Sequence, residues 1–165
     1  MTRLERLRAD HGPALLVFER ENREYFARSV PDRGDAYFAE FASMLRARLA
    51  EQEAGLCHFH VVLDDQGELI GRVNLVDVVA GRAELGYRIG EHATGRGVAT
   101  AMVGEVCRVA ATEYGLRELT AMAALDNPAS TAVLLHNAFT AVEETLVGGQ
   151  PGVRYRRRLT AQELT

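Results

Sequence analysis

Apolar positions along this chain follow two different periods, and the change falls at Gly55. Upstream, Leu15, Phe18, Tyr25 and Phe26 recur at near-helical spacing between polar residues, which predicts an imperfect amphipathic helix from Ala14 to Phe26. Pro31 and Gly34 interrupt it. Tyr37, Phe38, Phe41, Met44, Leu45 and Leu49 then predict a second helix from about Asp35 to Glu53. Downstream, Phe59, Val61 and Leu63 alternate with His58, His60 and Val62, which is strand spacing. Asp64-Asp65-Gln66-Gly67 reads as a hairpin turn, Leu69 to Val79 as the next strand, and Ala80-Gly81-Arg82 as the turn into a third, Ala83 to Ile89. These three predict an antiparallel meander.

The helical period returns at Val98, with Val98, Met102, Val106 and Val109 on one face of a helix reaching Tyr114. Leu119 to Leu125 predicts a short strand. Asn127 and Pro128 suit the cap and the first position of another helix. Ala141 to Val147 and Val153 to Leu159, joined by Gly148 to Gly152, predict a final hairpin. A strand, the helix from Val98 and another strand should form one parallel, right-handed crossover.

The segment between that third strand and the long helix carries the most chemistry. Gly95 and Gly97 precede the helix directly. Backbone N–H groups of such a loop, with the positive end of the helix dipole, make a cradle for an anion such as phosphate. The third glycine of a dinucleotide loop is missing, and no Gly-Lys-Ser/Thr follows. Glu84 stands one strand-length away as a candidate general base.

Composition narrows this picture. At 165 residues the chain suits one domain, and 47% hydrophobic with 25% charged residues is ordinary for a soluble protein. A net charge of −4 argues against general nucleic-acid binding. No apolar run approaches the roughly 18 residues that span a membrane, and Met1 to Arg8 lacks a signal-peptide core. Cys57 and Cys107 are too few for a disulfide framework and fit a reducing cytoplasm.

Thr94-Gly95-Arg96-Gly97-Val98-Ala99 resembles the Gln/Arg-x-x-Gly-x-Gly/Ala signature of the GNAT superfamily of N-acetyltransferases, with Thr94 in place of the leading Gln or Arg. Ala83-Glu84-Leu85-Gly86-Tyr87 is similar to the family strand before it. Asn127-Pro128-Ala129-Ser130 with Phe139 resembles the family's Asn-x-x-Ser…Gly-Phe segment, with Ala138 where glycine usually stands. The resemblance covers roughly residues 14 to 160 and is greatest to the Rim-type branch, which acetylates protein N-termini. The family's first strand is barely visible before His11. The tyrosine that other branches carry four residues after the serine is replaced by Leu134.

The resemblance implies an α/β (α+β) fold: a mixed, twisted, mostly antiparallel sheet with helices on both faces and a splayed central parallel strand pair. It implies acetyl-CoA as co-substrate, no metal, and direct transfer to a primary amine. The leading acceptor is a peptide α-amine. Alternatives are a small amine (polyamine, aminoglycoside or amino acid) or a non-catalytic CoA-binding module. It assigns the carrier to Ile89, Gly95, Arg96, Gly97, Val98, Ala99, Thr100, Asn127 and Ser130, and catalysis to Glu84 and Ser130. The acceptor should be walled by residues around 20–36 and by the hairpin at 148–152.

Each assignment has a plainer alternative. Glu84 would otherwise be a solvated strand glutamate beside Arg88, and Ser130 a first-turn serine bonded to local backbone. Tyr87 reads as a core aromatic. His58 and His60 share a face as metal ligands do, without a third ligand at useful spacing. Arg154, Arg156 and Arg158 read as a solvated face or a homodimer contact.

Overall fold

The computed structural model describes residues 1–159. A seven-stranded sheet runs in the order β1 (Arg3–Arg6), β2 (His58–Leu63), β3 (Leu69–Val79), β4 (Arg82–Ile89), β5 (Glu118–Ala124), β7 (Gln150–Arg158), β6 (Thr140–Val147). Only β4 and β5 pair in parallel. On one face lie α1 (Gly12–Glu21), α2 (Arg23–Ala27), α3 (Asp35–Ala39) and α4 (Phe41–Glu53). Their core contains Leu15, Phe18, Phe26, Phe41, Phe59 and Val61. On the other lie α5 (Val98–Thr112) and α6 (Pro128–His136), over a core with Val73, Leu85, Val103, Val106, Leu119 and Phe139. The two faces follow directly from strand alternation: Phe59 and Val61 enter one core, Val73 and Leu75 the other.

Three elements differ from the sequence reading. β1 is a four-residue edge strand paired with β2 from Arg3↔Leu63 to Arg6↔His60, too short to show a period. The expected helix over 14–26 is two helices, because the backbone at Asn22 leaves the helical region (φ −103°, ψ 8°). The expected helix over 35–53 breaks in the same way at Glu40 (φ −108°, ψ 20°). In both cases the apolar spacing runs through the break, so periodicity alone cannot reveal it.

Asn22 explains its own break. Its side-chain amide donates to the Phe18 carbonyl at 3.0 Å, and its Oδ1 accepts the Glu91 N–H at 2.9 Å. The corner between α1 and α2 is thereby tied to the loop after β4. The end of α6 is tied as well. Phe139 N–H donates to the Leu134 carbonyl and Ala138 N–H to the Leu135 carbonyl, which is a Schellman closure. It holds Ala138 at φ +63°, a left-handed conformation that glycine adopts more easily. No helix among the described residues is long and apolar enough to cross a membrane.

Candidate active site

The site begins where two neighbouring strands stop pairing. β4 and β5 are in register at Arg82↔Glu118, Ala83↔Leu119 and Glu84↔Thr120, and nowhere beyond. β5 continues in full register with β7 from Glu118 to Ala124, and β4 with β3 as far as Ile89. The two strands are therefore held from their outer sides while they part from each other, and the gap opens just past Glu84. A cavity of about 460 Å³ fills this fork. Leu85 to Ile89 line it from β4, Ala121 to Ala124 from β5, and Asn127, Ser130, Val133 and Leu134 from α6 and its cap.

At one end the cavity reaches the glycine loop. Gly95 and Gly97 sit at φ +76° and +74°, and a Cβ on either would meet nothing within 4 Å. Gly97 caps α5 with no side-chain hydrogen bond, and the first turn of the helix presents Val98, Ala99 and Thr100. Their N–H groups precede the first intrahelical bond, which Ala101 N–H makes to the Gly97 carbonyl. The loop thus leaves these backbone donors open. The Thr94 hydroxyl donates to the Glu91 carbonyl at 2.7 Å. The Arg96 side chain is exposed and does not line the cavity. Ile89 is buried and lines it.

In the middle, Asn127 caps α6 by accepting the Ser130 N–H at 3.2 Å. This orients the first turn, and the Tyr87 hydroxyl donates to the Ser130 hydroxyl across the fork at 3.2 Å. Burial pushes the Tyr87 phenol pKa up, and the bond to Ser130 pulls the other way. The sequence reading placed Tyr87 in the core and missed this pair. Alternation held the clue, since Leu85, Tyr87 and Ile89 share the face toward α5 and α6. Leu134, where other branches carry tyrosine, is buried and lines the cavity.

Glu84 occupies the opposite face of β4, at the apex of the fork, and does not line the cavity itself. It is partly buried. Burial, reinforced by Asp77 and opposed by Arg154, pushes its carboxyl pKa above the ordinary value. Two residues on, Gly86 lines the cavity and leaves open space where a Cβ would stand. No carboxylate and no histidine lines the cavity among the described residues, and Arg88 is its one charged group.

At the far end, Tyr25, Phe26, Ser29 and Val30 wall the cavity from α2 and the turn after it, with Val147 from the last hairpin. The two walls meet, because a Cβ on Gly148 would lie 3.3 Å from the Pro31 ring. The mixed charges of this wall are largely paired internally. Arg23 donates to Asp32 at 2.7 and 2.9 Å and to Asp35 at 2.8 Å, while Arg28 pairs with Glu91 at 3.5 Å.

The other candidates have structural partners. The His58 ring stacks on Tyr114 at 3.7 Å, and His60 shares a 2.6 Å hydrogen bond with the Tyr114 hydroxyl. Burial lowers the pKa of both histidines to about 4. No group of three or more His, Cys, Asp or Glu that could hold a metal occurs among the described residues. Arg154 faces Glu143, and Arg156 faces Glu118.

The glycine loop, the fork between the parallel strands and the walled far end line one cavity. The family description "Acetyltransferase (GNAT) domain" matches residues 2–140, and the chain belongs to that family. It is an N-acetyltransferase, and the family's acyl donor, acetyl-CoA, fits the cradle and the fork. Solved structures share the fold. Ribosomal-protein-S5-alanine acetyltransferase from Vibrio fischeri superposes at TM-score 0.89 with 17% identity, covering 96% of this chain and 93% of that one. RimL, a ribosomal L7/L12 alpha-N-protein acetyltransferase in complex with coenzyme A, gives 0.86 with 19% identity, covering 99% and 96%. Spermidine N-acetyltransferase from Vibrio cholerae, in complex with CoA and spermine, gives 0.80 with 18% identity, covering 99% and 98%. No curated protein sequence matches the chain.

Proposed function

We propose that this N-acetyltransferase is of the Rim type, acts in the cytoplasm, and acetylates a protein or peptide N-terminal α-amine. One observation carries the reading: a single cavity runs from the Gly95–Gly97 cradle, through the fork, to a wall built by Tyr25, Phe26, Ser29, Val30 and Val147. That shape suits a carrier entering from one side and an amine from the other. The absence of any carboxylate from the described lining favours a peptide over a polyamine, which would need acidic partners.

The backbone donors of Gly95, Gly97, Val98, Ala99 and Thr100 hold the pyrophosphate, and Arg96 stays in solvent. Acetyl-CoA supplies an activated thioester. Past Glu84 the inner edge of β4 has no strand partner, so its N–H groups are free to fix the pantetheine arm and polarise the carbonyl. An α-amine has a solution pKa near 8 and is largely protonated at neutral pH. Glu84, whose raised pKa makes it a stronger base than an ordinary carboxylate, takes that proton directly or through water, across the open space at Gly86. Ser130 passes its proton to the departing thiolate and takes the Tyr87 phenol proton in exchange through the hydrogen bond between them, and Asn127 fixes the helix turn that aims it.

Acetyl-CoA with a panel of amidated peptides, free amino acids and polyamines, read by mass spectrometry, tests this reading. Peptides acetylated at the α-amine are the expected product. Transfer to polyamines alone would contradict it.

A further inference from the structure

The acceptor end of the site holds an unusual charge arrangement, and it bears on which peptide is chosen if the reading above is right. Glu19 of α1 is 1% exposed. Arg33 donates to both of its oxygens, at 3.0 and 3.2 Å, and Arg72 donates to Oε1 at 2.9 Å. Although burial raises its pKa, Arg72 and Arg33 outweigh burial and lower it, so Glu19 is ionised. Two arginines already satisfy this one carboxylate.

Arg88 is a third arginine beside it. It lies opposite Arg72 in the β3–β4 register. Its Nη1 stands 3.6 Å from Glu19 Oε2, beyond hydrogen-bond distance, and its guanidinium lies over the Phe26 ring at 4.9 Å. Its side chain makes no hydrogen bond to any described residue. Burial and Arg33 disfavour its charge while Glu19 supports it, but a guanidinium stays protonated in any case. Three arginines around one carboxylate leave two positive charges in excess. Of the neighbouring acids, Glu91 is matched by Arg28, while Asp32 and Asp35 share Arg23 and leave one negative charge against that excess, so the cluster stays net positive.

Arg88 also lines the cavity beside Tyr25, Ser29 and Gly86. It shares a strand face with Gly86, about 6.6 Å along β4. Its donors are therefore a planar fork, partly desolvated and close to where the acceptor amine must sit. A carboxylate matches that fork with two parallel hydrogen bonds, whereas a second ammonium is repelled.

We propose that Arg88 binds a carboxylate of the acceptor, so that the enzyme selects α-amines with an anionic group close by and rejects polycations. The carboxylate has two sources: an acidic side chain in the first residues of a peptide, or the α-carboxylate of a free amino acid.

The test compares kcat/KM for three kinds of acceptor. The first is a C-terminally amidated peptide, Ser-Asp-Ala-Ala, against Ser-Asn-Ala-Ala. The second is free serine and alanine, in which the α-carboxylate is the one carboxylate. The third is spermidine. The acidic peptide should exceed its amide isostere by about ten- to hundredfold, the worth of a charge-assisted hydrogen bond, and spermidine should be the poorest. Faster turnover of the free amino acids would assign the carboxylate to the α-position. Arg88→Gln should bring the acidic-to-amide ratio to about one, and Arg88→Lys should restore part of it. Arg33 and Arg72 still satisfy Glu19 in both variants, so melting curves should remain close to wild type. Equal rates for the two peptides in wild type with no turnover of the free amino acids, or a preference that survives Arg88→Gln, would overturn the proposal while leaving peptide acetylation standing. Acetylation of spermidine alone would overturn both.

Discussion

The Tyr87 and Ser130 hydroxyls meet at 3.2 Å across the gap between β4 and the first turn of α6. They come from residues 43 positions apart, brought together by one crossover: β4, α5 and β5, then the Asn127 cap. Asn127 fixes Ser130 from one side, and the strand face fixes Tyr87 from the other. Leu134 leaves no hydroxyl at the position where other family branches carry a tyrosine, and here a phenol reaches the same cavity from β4.

That pair gives a measurable coupling. Ser130→Ala should lower kcat by about tenfold or more if its hydroxyl protonates the leaving thiolate, a barrier change of about 1–3 kcal/mol. Tyr87→Phe should act through the same bond, so the double variant should lose little beyond the larger single effect. Fully additive losses would separate the two residues. A melting shift without a rate change would make Ser130 a purely local backbone partner.

Glu84 makes two predictions of opposite sign. As the base it must be ionised, and its raised pKa places the acid limb of the kcat/KM profile above the ordinary carboxylate range. Glu84→Gln should reduce turnover by about 10²–10⁴-fold and remove that limb. Stability should move the other way. A carboxyl whose folded pKa exceeds its unfolded value favours folding less as pH rises through that window. Its ionisation is therefore a cost at pH 7 that vanishes below its unfolded pKa. Glu84→Gln should raise Tm slightly at pH 7 and leave it unchanged in acid. Near-normal activity of the variant would move the base elsewhere.

Ala138 offers a test away from the chemistry. Its φ of +63° costs a non-glycine residue about 1–2 kcal/mol, partly offset because glycine leaves the unfolded chain freer. Ala138→Gly should raise stability by about 0.5–1 kcal/mol, or about 1–4 °C in Tm. Kinetic constants should stay as in wild type. A lower Tm would mean that the Schellman closure tolerates alanine without strain.

The sequence revealed most where a period or a motif is local. The meander, the glycine loop, the Asn127 cap and the last hairpin all depend on neighbours within a dozen residues. Breaks at Asn22 and Glu40 were hidden because apolar spacing continues through them. β1 was hidden because four residues on a sheet edge show no period. The Tyr87–Ser130 bond and the arginine cluster on Glu19 were hidden for another reason: each joins residues from separate elements, which only the packed sheet brings together. Arg88 read as a partner for Glu84 because both share a strand face; across the β3–β4 register it stands beside Arg72 and Glu19 instead.

The central claim is that the Gly95–Gly97 loop and the fork bind the acyl donor, and titration calorimetry with CoA on Gly97→Glu tests it most directly. A Cβ at Gly97 meets open space, so the variant should fold, with about 1–2 kcal/mol of left-handed strain that Gly97→Ala shares. Wild type should bind one CoA per chain. Gly97→Glu, which sets a carboxylate where the pyrophosphate must lie, should lose at least about a hundredfold in affinity beyond any loss in Gly97→Ala. CoA affinity equal in all three folded proteins would contradict the account.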